Sequence, residues 1–133
     1  MSAFLETLAS YQASQIADLL AIIGTRIYPV EAPQEVEAPY AVFTQISGGT
    51  DVNHGGRSGW GSMRVQYDFY AYKFHETHDA ADALGDAFEG KSVQIAEGTE
   101  VCFCKVETEF DHEPDEERIY RRTIDLLFEY QIT

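Results

Sequence analysis

Cys102 and Cys104 stand two residues apart. In an extended run they face the same way, roughly 6.5–7 Å apart along one strand. That is a poor placement for a bridge, and no Cys-x-x-Cys motif accompanies them. They are expected to be buried, reduced thiols, which suits a cytosolic setting. His75, His78 and Asp79 invite a metal reading, because residues three apart on a helix share a face. A zinc site needs three or four ligands with their own hydrogen-bond partners; no H-E-x-x-H motif is present, so these are expected to be solvated histidines opening a helix. His54 and His112 fall in expected loops. Glu107, Glu109 and Asp111 form a carboxylate row. Acid/base work would need one of them buried with a raised pKa, whereas three on an alternating, solvated face are a charged surface. Arg118, Arg121 and Arg122 could pair with them across a hairpin. No Ser-His-Asp or Cys-His signature joins a nucleophile to a base.

A phosphate cradle is the remaining candidate chemistry. Six of the ten glycines (48, 49, 55, 56, 59, 61) and the only tryptophan, Trp60, gather in the 47–61 stretch. A Walker loop needs G-x-x-x-x-G-K-[ST] ahead of a helix. Here Gly56 is followed by Arg57 and Ser58, and then by a strand pattern; G-x-G-x-x-G is absent too. The stretch is therefore expected to be a loop of about fifteen residues, long enough to be functional or mobile.

The elements around these residues follow from periodicity. Met63, Val65, Tyr67, Phe69 and Ala71 alternate with Arg64, Gln66 and Asp68, the pattern of a strand with one buried face. Residues 40–47 precede it as a second strand. Phe4, Leu5, Leu8, Tyr11, Ile16, Leu19, Leu20 and Ile23 recur at helical spacing, with weak helix formers near 10–14, so one long or two short helices end at Gly24. Residues 29–39 hold three of the four prolines and form a loop. Residues 76–89 form a second helix with Ala81, Leu84 and Phe88 inward and Gly90 closing it. Ser92 to Ile95 has the look of a short strand. Residues 101–111 and 117–132 make a long C-terminal hairpin. Cys102, Cys104, Val106 and Phe110 are expected inward, and Lys105, Glu107 and Glu109 outward. The expected fold is α+β, one domain spanning 1–133. It has an antiparallel sheet of about four main strands (40–47, 62–74, 101–111, 117–132), an N-terminal helical segment and a second helix packed on one face.

Composition limits the partners. The chain has 133 residues, 44% hydrophobic and 13% aromatic, enough for a core of its own. Nine Lys and Arg stand against 23 Asp and Glu, a formal net charge of -14. A protein that grips a phosphate backbone needs clustered cations, so nucleic acid is not expected as a bound target. Nucleic acid that passes without sticking is not, because like charge repels. No cationic region precedes an apolar run, so no signal peptide is expected, and no apolar run approaches the ~20 residues of a membrane span.

Several ordered segments carry a resemblance. They are Arg26-Ile27-Tyr28-Pro29, Ala32-Pro33-Gln34, Ala38-Pro39-Tyr40-Ala41-Val42-Phe43, the Gly-rich break and Arg64 through Ala71. With Ile22-Ile23-Gly24 before them and the 77–88 helix after, they resemble the tail-completion proteins of long-tailed bacteriophages. The resemblance spans roughly residues 4–90; the C-terminal hairpin matches only as a shape. It implies a structural virion protein of the tail and neck, assembled in the host bacterial cytoplasm. It further implies a tail terminator, a ring of identical subunits, a hexamer, capping the tail tube and joining it to the head–tail connector protein while DNA passes through. Tail-tube protein and connector are the implied partners; no cofactor, metal or catalytic residue is implied. Within this reading Asp51, His54, Arg57 and Trp60 are candidate interface residues, since Arg and Trp anchor interfaces. Glu107, Glu109 and Asp111 are a candidate acidic channel wall or surface row.

Two other readings compete. One is a head–tail stopper or adaptor at the connector, which shares this composition; loss of a stopper leaves heads that leak DNA, loss of a terminator leaves overlong or unjoined tails. The other is a small-molecule-binding or enzymatic α+β dimer using Tyr28, Tyr67, Tyr70, Tyr72 and His75 around a pocket. Tyrosine-rich strands more often serve core and interface, and thermal-shift screening with metals and nucleotides separates the two classes.

Overall fold

A computed structural model describes residues 3–53 and 56–133, with the backbone alone for 49–53 and 56–58. The elements in chain order are α1 (Ala3–Gln12), α2 (Ala17–Ile23), β1 (Ile27–Pro29), β2 (Tyr40–Asn53), β3 (Gly56–Ala71), α3 (Phe74–Phe88), β4 (Val93–Ala96), β5 (Thr99–His112) and β6 (Tyr120–Ile132). The strands form one six-stranded mixed sheet in the order β1-β2-β3-β6-β5-β4.

The α+β class and the four long strands match the sequence reading, but the sheet is larger and not wholly antiparallel. The two further strands are short edges, and β4 falls where the sequence suggests a short strand at Ser92 to Ile95. β1 runs parallel to β2, with Ile27 opposite Ala41, and β4 pairs antiparallel with β5. Strands of three and four residues are too brief to display an alternation. The N-terminal segment divides into two short helices. Gly24, at φ 60°, ends α2 where the chain turns into β1, a backbone angle that suits glycine.

The 47–61 stretch is not a fifteen-residue loop. β2 continues to Asn53 and β3 begins at Gly56, with Gly49 opposite Ser62 and Val52 opposite Arg57. Glycine disfavours strands when side-chain packing decides, but here the antiparallel ladder satisfies the backbone groups directly. β6 covers β3 only from Trp60 onward. Beyond that point β2 and β3 form a two-stranded arm.

All three helices lie on one face. Val65, Tyr67 and Phe69 of β3 and Ile124, Leu126 and Phe128 of β6 face them and are buried, together with Leu8, Leu19, Leu84 and Phe88. Phe4 stacks on Tyr130 at 3.9 Å and tilts against Phe128 at 5.8 Å, tying α1 to β6. Among the described residues no helix is long and apolar enough to cross a membrane.

Strand β5 departs from the expected alternation, and two bulges explain it. Register shifts fall between Val101 and Phe103 and between Val106 and Thr108. One extra residue turns every following side chain to the other face. Cys102, expected inward, sits at the first bulge and is half-buried, while Val101 and Cys104 are buried. Phe110, also expected inward, is 49% exposed. It pairs with Thr123 on the face away from the helices, whereas Glu109 pairs with Ile124 and Asp111 with Arg122 on the helix-covered face. Glu109 thus shares the sheet face of Ile124, yet at this end of β5 it remains exposed.

Candidate functional site

The helix-free face of the sheet carries charged and polar residues on its central strands, alongside the apolar Val42, Leu127 and Phe110. Alternation along β3 puts Arg64, Gln66, Asp68 and Tyr70 there, and β6 sets Leu127, Asp125, Thr123 and Arg121 beside them in register. These residues bond into a ladder. Arg64 Nη2 donates to Asp125 Oδ2 at 3.3 Å, and Thr108 Oγ1 donates to the same oxygen at 2.9 Å. Arg121 Nε donates to Asp68 Oδ1 at 3.1 Å, and the Thr123 hydroxyl donates to Asp68 as well. Having given its proton, Thr123 Oγ1 accepts from His112 Nε2 at 2.7 Å. Asp68 and Asp125 are each 8% exposed, so these bonds offset a real desolvation cost. Asp125 Oδ1 and Arg64 Nε are buried without a partner in the structure.

At one end of this face lies a cleft of 600 Å3, roofed by the proline-rich loop 30–38 and floored by Tyr40, Val42 and Thr44 of β2 and Asp68 and Tyr70 of β3. Tyr40 and Tyr70 stack at 4.8 Å, and the Arg121 guanidinium lies 5.7 Å from the centre of the Tyr70 ring. Burial raises the phenol pKa of both tyrosines, with the Arg121 charge opposing the rise at Tyr70. Burial lowers the Arg121 pKa, but its bond and charge attraction to Asp68 outweigh that, so it stays a cation. The loop is held by Arg26, whose Nε donates to Pro39 O at 2.9 Å. Of the pocket suggested by the sequence, Tyr70 and Tyr72 line this cleft, whereas Tyr28, Tyr67 and His75 do not; the part played by loop 30–38 and Tyr40 is not legible in the sequence.

The residues singled out in the sequence divide into two groups. Trp60 stands at the base of the β2–β3 arm, opposite Gln131, and is 42% exposed. Asp51 lies on β2 at a register shift and Arg57 on β3; His54 lies outside the described residues. At that base Gly59 has φ +85°, and a Cβ there would meet Ile132 O at 2.5 Å, so the crossing of arm and β6 needs glycine.

Glu107, Glu109 and Asp111 are not one uniform solvated row. Glu107 falls at the second bulge. Arg122 Nη1 donates to Asp111 Oδ1 at 3.0 Å and its Nη2 bonds Glu109. His78 Nε2 lies 3.0 Å from the same Asp111 oxygen. Burial lowers the Arg122 pKa, but the two carboxylates raise it further. The hairpin pairing expected of Arg122 is present; Arg121 instead pairs with Asp68 on β3. A readable signal existed: Arg122 stands two residues before Ile124, so a carboxylate facing Arg122 shares the face of Ile124.

The other candidates do no chemistry that the geometry supports. Cys102 and Cys104 are free thiols. Burial pushes the Cys104 thiol up to about 12, far from a nucleophile's range. His75 and His78 open α3 as expected, with His78 joined to the Arg122 cluster. Among the described residues no group of three or more His, Cys, Asp or Glu could hold a metal. Tyr67 is no pocket residue: its hydroxyl donates to Gln12 Oε1 at 2.8 Å inside the core.

No curated protein matches the chain. In structure it is similar to a chain of the virion of a native gene transfer agent particle, with a TM-score of 0.68 at 19% identity, over 99% of this chain and 98% of that one. That likeness is one of fold. The family model for tail completion protein gp17 matches residues 12–130.

Proposed function

The chain belongs to the tail completion protein gp17 family, structural proteins of phage-tail completion, and from that premise we propose that it is the tail terminator. Identical subunits form a ring, a hexamer, on the last layer of the tail tube. The ring stops tube growth and offers its other side to the head–tail connector protein, and DNA passes through the middle. Assembly takes place in the host cytoplasm.

The observation that carries this reading is the family match over nearly the whole chain. Two physical features support it. A two-stranded arm is marginal alone in water and gains order against a neighbouring subunit or tube protein, with Asp51, His54, Arg57 and Trp60 as its contact residues. A net charge of -14 suits a passage that must not hold a polyanion. Glu107, Glu109 and Asp111 are the proposed lining; Arg122 offsets part of their charge and fixes the geometry of Glu109 and Asp111.

Deleting the gene tests the role. Overlong or unjoined tails are expected, and tails of normal length joined to heads would refute it. Negative-stain microscopy of the protein with its tail tube should show a ring at the tube end. An assembled structure with Glu107, Glu109 and Asp111 on the outer rim would remove them from the channel wall.

A further inference from the structure

We propose that the 600 Å3 cleft under loop 30–38 is a docking slot for an extended, arginine-bearing segment of a partner protein. The inference does not depend on the ring: it concerns a surface that any neck or tube protein could use.

Shape argues for an extended segment. Tyr40, Val42 and Thr44 project from alternate positions of β2 into the cleft, so the floor is roughly 13 Å long and accepts about four extended residues. Aromatic faces argue for a planar cation. Tyr40 and Tyr70, stacked on each other, lie in the floor, with Arg121 already against the Tyr70 ring. Tyr72, 56% exposed, also lines the cleft, so Tyr40 and Tyr72 offer the open ring faces. A guanidinium plane stacks on such rings, and an ammonium does so less well.

Charge argues for the sign. Asp68 already bonds Arg121 and Thr123, so Arg121 is committed. Glu31 and Glu117 also line the cleft, and no side-chain bond to either is seen among the described residues. An entering guanidinium meets two available carboxylates and can bind one in the forked manner that lysine cannot. A second copy of this chain is the weaker donor. Its nine cationic residues stand against 23 acidic ones, and Arg26, Arg64, Arg121 and Arg122 are engaged within the fold, which leaves Arg57 and Arg118 as its arginines to offer. A phosphate-bearing ligand is repelled by the same carboxylates.

The test uses the full chain and end-labelled hexapeptides of alternating valine with arginine, lysine or glutamate, read by fluorescence anisotropy. The arginine peptide is expected to bind one to one, the lysine peptide several-fold more weakly, and the glutamate peptide not at all. The double variant Glu31→Gln/Glu117→Gln should lose about tenfold or more in affinity, the scale of two charge-assisted bonds. Glu97→Gln, at the distant β4–β5 turn, should bind like the parent. Both variants alter exposed side chains, and unchanged melting curves establish that they fold. Absence of arginine-peptide binding, or equal affinity in parent and double variant, overturns the slot. Equal loss in Glu97→Gln overturns it too, by showing general attraction to an acidic protein. If the parent self-associates and the double variant does not, the occupant is a second copy and the partner assignment is wrong.

Discussion

Tyr67 sits at the centre of β3 with no exposed surface, and its hydroxyl meets Gln12 of α1 in the core. Gln12 Nε2 is buried without a partner, so this one bond is all that satisfies the pair. Tyr67→Phe should cost about 1–3 kcal/mol, the penalty for leaving a buried acceptor unmet; urea melts would measure it, and an unchanged midpoint would mean that Gln12 finds water. Val65, also fully buried, allows a harsher test. Val65→Asp leaves a charge under α3 and should abolish cooperative unfolding. Cys104 sets a pH dependence. Its thiol pKa rises from an ordinary 9.0 to about 12, so above pH 9 the unfolded chain loses a proton that the folded chain keeps. Stability is therefore flat from this source below pH 9 and falls as pH climbs toward 12, by about 4 kcal/mol in all. Alkaline melts of Cys104→Ala should show a shallower decline than the parent.

At the scale of elements, β5 and the arm hold the structural surprises. The second bulge turns Glu109 and Asp111 toward Arg122 and α3 and puts Phe110 on the polar face. Deleting Glu107 would restore simple alternation. It would also remove both Arg122 pairs and drive Phe110 toward the helix layer, so a loss of at least about 2 kcal/mol is expected in thermal or urea melts. A deletion variant as stable as the parent would mean the bulge only re-aims side chains. The arm base is equally specific. Gly59→Ala brings strain from positive φ and a Cβ against Ile132 O, a cost of about 1–3 kcal/mol. Hydrogen exchange should show it as faster opening at Trp60 and Ile132, with α3 unaffected. The sequence showed the strands and the helices through their periods. It could not show the bulges, because an inserted residue looks the same as an ordinary alternating one until its partner strand is known. The arm was hidden for a different reason: six glycines carry no side-chain alternation, and the pairing lies in the backbone.

At the scale of the molecule, the helix layer and the polar face divide the labour. The helices bury one side of the sheet and hold it rigid. The other side carries the charged ladder and the cleft, and the arm extends past the end of β6. Deleting residues 50–59 removes residues outside the β3–β6 ladder, which begins at Trp60, so cooperative monomer folding should be spared while ring or tail assembly fails. Assembly that survives the deletion would show that the arm is no contact. Two tyrosines of the cleft, Tyr70 and Tyr72, stand out in the sequence, but its roof could not be foreseen, since loop 30–38 meets β2 and β3 only through the tertiary path of the chain.

The sequence by itself determined the class of fold, the buried face of β3 and β6, the two-residue spacing of the thiols and the acidic balance of the chain. Each is local or summed, a matter of period, composition or spacing. The tertiary structure decided which carboxylates face Arg122, which aromatic side chains remain in water, and that the glycine-rich stretch is a paired arm. Those outcomes depend on register between strands far apart in the chain, and register is fixed only when the strands meet.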